Sequence, residues 1–533
     1  MGLAGRGSLE LGEASTAFAR WKLTGVDLVC IQHEQMNTLS QGLDGSLGAA
    51  RPQPGPLLTD LYQLTMAYGY WKAGKADQEA VFQLFFRKHP FGGGFTIAAG
   101  LADAVAYLSA FRFSDSDLAY LGTIPGRDGA RLFDGGFLEY LRGVRFGGSL
   151  DAIPEGTAVF PHEPLLRVRG SILQAQLVET ALLNLINFQS LIATKAARVC
   201  LAAGGDPVVE FGLRRAQGVD GAISASRAAY IGGCSGTSNV LAGKLFGMPV
   251  KGTHAHSWVL SFDDERTAFE TYAEALPNNC IFLVDTFDTL QGVRNAAGVA
   301  KKLRARGHEM VGIRLDSGDL AYLSVEARKI LDAEGLTDAV IVASNDLDEH
   351  LITSLKQQGA AINVWGVGTK LVTAYDQPAL GGVYKLTALR NGDGTWEHKV
   401  KVSEQAAKVT NPGVLQVRRF RTETGFIGDC IYDQATATPV TFTIVDPADA
   451  TRRKHFEADA TADDLLIPVL RDGQSVCDLP SLDSIRNRVQ CDLGMLHPGV
   501  KRFVNPHEYP VGLESGLHEL KTRLILRARG ESC

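Results

Sequence analysis

Short apolar runs recur through the middle of the chain, each closed by polar or charged residues and followed by a longer stretch with helical spacing. They are Val208–Gly212, Pro249–Gly252, Ile281–Val284, Met310–Ile313, Val340–Ala343 and Ile362–Trp365. Runs of this length that do not alternate match strands buried on both faces, as in a parallel sheet covered by helices. Asp285, Arg314 and Ser344 close three successive runs at about the thirty-residue spacing of a βαβ unit. Repetition over this span predicts an α/β fold with a (β/α) barrel rather than an open sheet.

The residues that follow the runs are strongly polar. In order they are Arg214-Arg215, Thr253-His254-Ala255-His256, Asp285, Arg314 with Asp316 and Asp319, Ser344-Asn345-Asp346, and Gly366-Val367-Gly368-Thr369. Barrel enzymes gather their chemistry at the carboxyl ends of the strands, where side chains converge on one mouth. Six such coincidences in a row predict an active site there. The flanks read differently. Residues 1–55 carry Gly, Ser and Gln without periodicity and end in a Pro-rich stretch, which predicts a loosely ordered leader. Thr59-Asp60 is a candidate N-cap for a helix over Leu61–Trp71. Beyond Lys385 the segments shorten, Asn391-Gly392-Asp393-Gly394 marks a hairpin turn, and a β-rich region runs to about residue 445.

Composition narrows the function classes. The 533 residues are 45% hydrophobic and 21% charged, enough for a sizeable core. A formal net charge of -6 gives no reason to expect nucleic acid or an anionic membrane as partner. Cysteines at positions 30, 200, 234, 280, 430, 477, 491 and 533 form no CxxC pair, so neither a disulfide framework nor a zinc site is predicted. With no apolar run of membrane-spanning length and no secretory signal pattern, the expected compartment is the cytosol. Glu10, Glu13 and Asp27 argue against an organellar transit peptide, which avoids acids.

Arg314-Leu315-Asp316-Ser317-Gly318-Asp319 places one guanidinium and two carboxylates at a strand–helix junction. Arginine suits a phosphate through its fork, and the acids suit magnesium carried by a diphosphate. The alternative is an ion pair capping a helix. Gly366-Val367-Gly368-Thr369 leaves backbone N–H groups free for an anion, in the position where barrels often bind phosphate. The alternative is a tight turn. His254 and His256 share a face if extended, but no third and fourth metal ligand stands near them. Either is a core imidazole or a nucleophile for a phosphoryl group. No Gly-x4-Gly-Lys-Ser/Thr motif is present, so any ATP binds unlike in a P-loop protein. The glycine loop Phe91-Gly92-Gly93-Gly94-Phe95 follows no dinucleotide-binding pattern.

Taken together, these stretches resemble the nicotinate phosphoribosyltransferases, type II phosphoribosyltransferases. The resemblance rests on Leu57–Gln63, Phe85-Phe86-Arg87-Lys88, Ser190–Lys195, Gly212–Gly218, Gly252-Thr253 with Ala255-His256-Ser257, Arg314–Leu320, Gly366–Thr369, Gly381–Lys385 and Asn505–Tyr509. It implies an irregular barrel beside an α/β sandwich built from both chain ends. Residues 56–170 and 391–445 would form the sandwich, 171–390 the barrel, and 446–533 a C-terminal extension. It further implies a homodimer with a shared site, joining nicotinate to 5-phosphoribosyl 1-diphosphate with ATP and Mg2+ (or Mn2+). Carried over by motif, His256 is the phosphorylated histidine. Thr253 and Arg314 hold nicotinate, and Tyr62 stacks on its ring from the partner subunit. Thr369 takes the 5′-phosphate, with Gly318, Gly366 and Gly368 in the phosphoribosyl cradle. Asp285 and Asp316 lie near the ribose or magnesium, and Arg215 and Asp319 are further candidates. His254 stands at a position that varies in the family, so two imidazoles compete on chemistry and only the motif chooses His256. The stretch between His256 and Asp285 is also short, lacking an insertion of longer members, which bears on oligomer contacts.

Other readings remain open at this point. A nicotinamide phosphoribosyltransferase shares the fold, but selectivity for the amide favours an acid near Ser257, where this chain has a hydroxyl. A quinolinate-specific enzyme needs more cations and no ATP-linked histidine. A catalytically inactive barrel serving as an interaction module is the third.

Overall fold

A computed structural model describes residues 55–405, 408–436, 442–456 and 460–531. The leader expected over 1–55 lies outside them, apart from its last residue. Among the described residues no helix is long and apolar enough to cross a membrane.

The expected barrel is built on a six-stranded parallel sheet. Its order is Gly236–Thr237, Val208–Glu210, Val364–Val367, Val340–Ala343, Gly312–Leu315 and Ile281–Leu283. Residues pointing outward, such as Ile313, Leu315, Ile341 and Trp365, join the main core under the helices. Val209, Val340, Val342 and Val364 pack against Phe211 in a separate inner cluster. That two-sided burial is why these strands read as continuous apolar runs. The covering helices carry the matching stripe. Helix Thr289–Ala305 buries Val293, Ala296, Ala297, Ala300 and Leu303, spaced three or four apart, and Asp288 caps it by accepting from the Gln291 N–H at 2.7 Å.

The sheet departs from the predicted strands in two places. Gly236–Thr237 was not expected, because two small residues carry no apolar signal. The run Pro249–Gly252 makes only a bridge, Thr237 to Val250, beside that short strand. From there the chain crosses to the opposite edge, where the Leu283 N–H donates to His254 Nε2 at 3.1 Å. A side chain thus closes the ring where a backbone carbonyl would serve in a regular barrel.

Two further sheets form the sandwich. One is antiparallel and seven-stranded, in the order Trp396–His398, Val383–Arg390, Glu79–Phe85, Leu166–Ser171, Ser149–Ala152, Ile467–Arg471 and Gln474–Ser475. The predicted turn at Asn391–Gly394 joins its first two strands in the list, with the Asn391 N–H bonded to the Thr395 carbonyl at 2.9 Å. The other sheet runs Arg453–Phe456, Phe442–Val445, Val511–Glu514, Gly425–Asp433, Leu415–Thr422 and Thr461–Asp464. Arg167 ties the two together by donating to the Leu415 carbonyl at 2.7 Å while its Nη2 holds Asp151 at 2.9 Å. The C-terminal extension expected over 446–533 supplies strands to both sheets. Ile467–Arg471 pairs with Ser149–Ala152, and Val511–Glu514 sits inside the last sheet. Each buries only two neighbouring residues, Val469 and Leu470 in one and Gly512 and Leu513 in the other, too short a run to announce a buried strand.

Candidate active site

Arg314 belongs to strand Gly312–Leu315, not to the loop after it as the sequence pattern suggested. Its register partner is Val342, an inner-cluster residue, so the guanidinium points into the barrel mouth. There Nε donates to Ser344 Oγ at 2.9 Å, Nη1 to Thr253 Oγ1 at 2.9 Å, and Nη2 to Asp316 Oδ1 at 3.1 Å. Ser344 also donates to that Asp316 oxygen. A guanidinium has five N–H donors. Three are engaged, which leaves one on each terminal nitrogen for a ligand. The Phe211 ring lies 5.8 Å from the guanidinium carbon and covers Gly366.

Asp285 stands at the end of the neighbouring strand. Its Oδ2 accepts from the Asp316 N–H at 3.1 Å and from Ser317 Oγ at 2.6 Å. Its Oδ1 is buried and without a hydrogen-bond partner. That oxygen lies 3.9 Å from His256 Nε2, as does Asp316 Oδ2. On its other side, His256 Nδ1 is 3.1 Å from Thr286 Oγ1. Two carboxylates therefore face one ring nitrogen and a hydroxyl faces the other.

The competition between the imidazoles has a geometric answer. His254 is 8% exposed, packs against Tyr272, and spends its Nε2 on the Leu283 N–H. Burial pushes its pKa down to about 4, with Arg314 and His256 adding repulsion and the Ala255 carbonyl opposing. It is a neutral seam residue. The His256 side chain is 40% exposed and looks into the mouth between the acids.

Other sequence candidates fall in different places. Thr369 opens the short helix Thr369–Val372 beside Gly368, at the end of strand Val364–Val367. Gly366 has a packing reason to be glycine, since a Cβ there would meet Phe211 Cδ2 at 2.7 Å. Gly318 adopts φ 79°, the left-handed region, as the chain turns from Asp316 into the next helix. Asp319 is that helix's N-cap, accepting from the Tyr322 N–H at 3.1 Å, so the capping alternative holds for it. Arg215 lies exposed in a turn of 3-10 helix and makes no ion pair among the described residues. Among those residues no three His, Cys, Asp or Glu side chains gather as a metal site.

Tyr62 sits on helix Leu61–Lys72 of the sandwich, away from this group. Burial, then Glu179 and Asp60, raise its pKa. Near Glu179 the fold assembles a cationic face that sequence reading missed. Burial lowers the Lys385 pKa; Glu179 opposes this, and Lys401 and Arg87 add repulsion. Arg87 Nε is buried without a partner. Lys521 is brought down to about 8 by burial and donates to Asn411 Oδ1 at 2.9 Å. His162, at φ 72°, is held down to about 4 by burial and by Lys521 and Arg87. Arg87 and Lys385 fall in stretches that carry the family resemblance, but the four residues come from segments far apart in the chain, so no local motif shows that they share one face.

Comparison with known proteins agrees with the resemblance. The family models for the nicotinate phosphoribosyltransferase N-terminal domain, the nicotinate phosphoribosyltransferase family and its C-terminal domain match residues 57–187, 207–413 and 416–521. A Bacillus subtilis nicotinate phosphoribosyltransferase is 47% identical over 481 residues, 88% of this chain and 96% of that one. The Homo sapiens nicotinate phosphoribosyltransferase is 38% identical over 538 residues, covering 89% and 97%. The crystal structure of human nicotinic acid phosphoribosyltransferase superposes with a TM-score of 0.76 at 36% identity, over 87% of this chain and 99% of that chain. The chain belongs to the nicotinate phosphoribosyltransferase family.

Proposed function

We propose that this chain joins nicotinate to 5-phosphoribosyl 1-diphosphate, giving nicotinate mononucleotide and diphosphate, with ATP hydrolysis coupled through a phosphohistidine on His256. The observation that carries this is the convergence of Arg314, Thr253, His256, Asp285 and Asp316 on one barrel mouth. The two free guanidinium N–H groups of Arg314 suit the carboxylate of nicotinate. Phe211 offers a flat wall to the pyridine ring. The ring nitrogen attacks the anomeric carbon as the bond to diphosphate breaks, through an oxocarbenium-like state that needs charge stabilisation on the leaving group.

The carboxylates of Asp285 and Asp316 favour the His256 tautomer with its proton on Nε2, leaving the Nδ1 lone pair to take the γ-phosphoryl of ATP. ADP departs, and water later releases phosphate from the ring. Magnesium or manganese fits these hard oxygen donors as an ion that arrives with the diphosphate and keeps most of its water, since one or two carboxylates suffice for it. When bound, it supplies positive charge to the leaving diphosphate.

The site is completed by a second copy of the chain. Apolar residues stand exposed beyond the strand ends, Phe287 at 67% and Tyr375 at 66% on loops and Leu213, Val219 and Leu241 on the first turns of helical segments. On the sandwich, Leu58, Leu61 and Met66 are exposed beside Tyr62. Docking one patch on the other buries both and brings Tyr62, with the cations Arg87 and Lys385, toward the anionic substrates. The scattered thiols fit a reducing compartment, the cytosol. Turnover measured with nicotinate and with nicotinamide, each with and without ATP, tests the reading. Preference for nicotinamide, or no turnover of either, would overturn it.

A further inference from the structure

Three features left unused by the proposed chemistry meet at one place: Lys195 and Arg198 on helix Glu179–Ala203, the glycine loop at Phe91, and the acids at the start of helix Glu349–Gln357. Lys195 is 0% exposed, with Nζ 2.7 Å from Glu349 Oε2 and 3.0 Å from Asp376 Oδ2. Arg198 Nε holds the other Glu349 oxygen at 2.8 Å. Burial pushes the Glu349 carboxyl up, but Lys195 and Arg198 outweigh it and hold the pKa below its ordinary value. Phe91 seals the pair from above, its ring 4.9 Å from Lys195 Nζ and 5.7 Å from the Arg198 guanidinium carbon. It does so in the left-handed region, at φ 59°. Gly93 permits the approach, because a Cβ there would meet Arg198 Nη1 at 2.8 Å. Two cations and two acids balance in charge across the network, with Arg198 Nη2 left buried and without a hydrogen-bond partner among the described residues. Its reach is what matters.

Asp376 ends the segment that Thr369 begins. At the other end Lys370 Nζ binds Asp348 Oδ2 at 2.6 Å, and Asp348 is the N-cap of the same helix that begins with Glu349, accepting from the Leu351 N–H at 2.7 Å. One rigid pair of adjacent acids therefore ties both ends of Thr369–Asp376, directly through Lys370 and through Lys195 to Asp376. Such a tie is needed. The helix Thr369–Val372 has four residues, too few to hold a helical turn by its own hydrogen bonds. Ala374 lies at φ 45°, a conformation that the surroundings must impose.

We propose that Lys195 is a positioning residue for the phosphoribosyl diphosphate end of the site, holding through Asp376 the segment that presents Thr369 and its backbone N–H groups. The inference rests on the reading of Thr369 as the 5′-phosphate contact. It predicts a selective defect. A phosphate cradle displaced by a fraction of an ångström loses affinity for phosphoribosyl diphosphate, while Arg314, Thr253 and Phe211 stay where they are.

The test uses the full-length enzyme with Asp376→Asn, Lys195→Met, the double variant and Thr369→Ala. Asp376 is 48% exposed on its side chain, so its amide variant should fold even where the buried Lys195→Met does not. Asp376→Asn should raise KM for 5-phosphoribosyl 1-diphosphate about fivefold to tenfold, with kcat and the nicotinate KM unchanged. Lys195→Met should raise it further, and the double variant should be no worse than Lys195→Met alone. A purely structural role would lower the melting temperature and the amount of active enzyme without moving one KM apart from the other. A raised KM in Thr369→Ala with none in Asp376→Asn would overturn the tie alone. A flat response of Thr369→Ala would fall on the phosphate assignment and take the proposal with it.

Discussion

Replacing Arg314 with alanine removes three hydrogen bonds at once and both of the N–H groups left for a ligand. The Arg314 side chain is only 13% exposed, so water does not screen these contacts fully. Asp316 keeps Ser344 as a donor but loses its cation, and Thr253 loses the donor that orients it. A hydrogen bond to a charged group contributes about 1.5 to 3 kcal/mol, so losing even one of the two contacts to the substrate carboxylate should lower kcat/KM for nicotinate by about ten- to 150-fold, and losing both should lower it further. Lysine should recover little. One ammonium on a flexible stem cannot face Ser344, Thr253 and Asp316 while also presenting two parallel donors. The assay is kcat/KM for nicotinate in the wild type, Arg314→Ala and Arg314→Lys, with circular dichroism to establish that each variant folds. Any slow turnover of nicotinamide serves as the control, because it lacks the carboxylate and should fall far less. Near-wild-type kcat/KM with nicotinate in the alanine variant would refute the argument and leave Arg314 as the structural partner of Asp316.

The imidazoles should separate cleanly: His256→Ala abolishes the acid-labile, base-stable label taken up from ATP, whereas His254→Gln keeps it. His254→Leu should keep the label too, but it orphans the buried Leu283 N–H and should cost about 1 to 3 kcal/mol in chemical denaturation. Tyr62→Ala should raise the nicotinate KM, and mixing it with His256→Ala should restore part of the activity through hybrid dimers; a fully active monomer in sedimentation would remove the shared site. For Lys521 the sign follows from its folded pKa of about 8, below the ordinary lysine value. The unfolded chain binds the proton more tightly, so the buried charge destabilises the fold below pH 8 and this penalty fades as pH rises toward about 10. Lys521→Met should therefore raise the melting temperature at pH 7 and gain little at pH 10; an equal gain at both would refute the assignment.

How far the sequence could be read follows from what each element buries. Val208, Phe282 and Val340 announced their strands because a parallel sheet is covered on both sides and leaves an unbroken apolar run. Arg314 was expected just past its strand because a charge conventionally ends such a run. In fact it occupies an inner-face position that a valine holds one strand over, and only pairing with Thr253, Ser344 and Asp316 makes that tolerable. The same limit explains Phe211 and the cationic face. Phe211 reads as one more core aromatic until the neighbouring strands show it beside a guanidinium, and Arg87, His162, Lys385 and Lys521 come together only when four distant segments fold. The histidines show the limit most sharply. Two identical side chains two residues apart carry the same local chemistry. What separates them is that the chain must close a barrel at His254, which packs one ring against Tyr272 and the Leu283 N–H and leaves the other facing two carboxylates. Closure is a property of the whole sheet, and no window of sequence around these residues contains it.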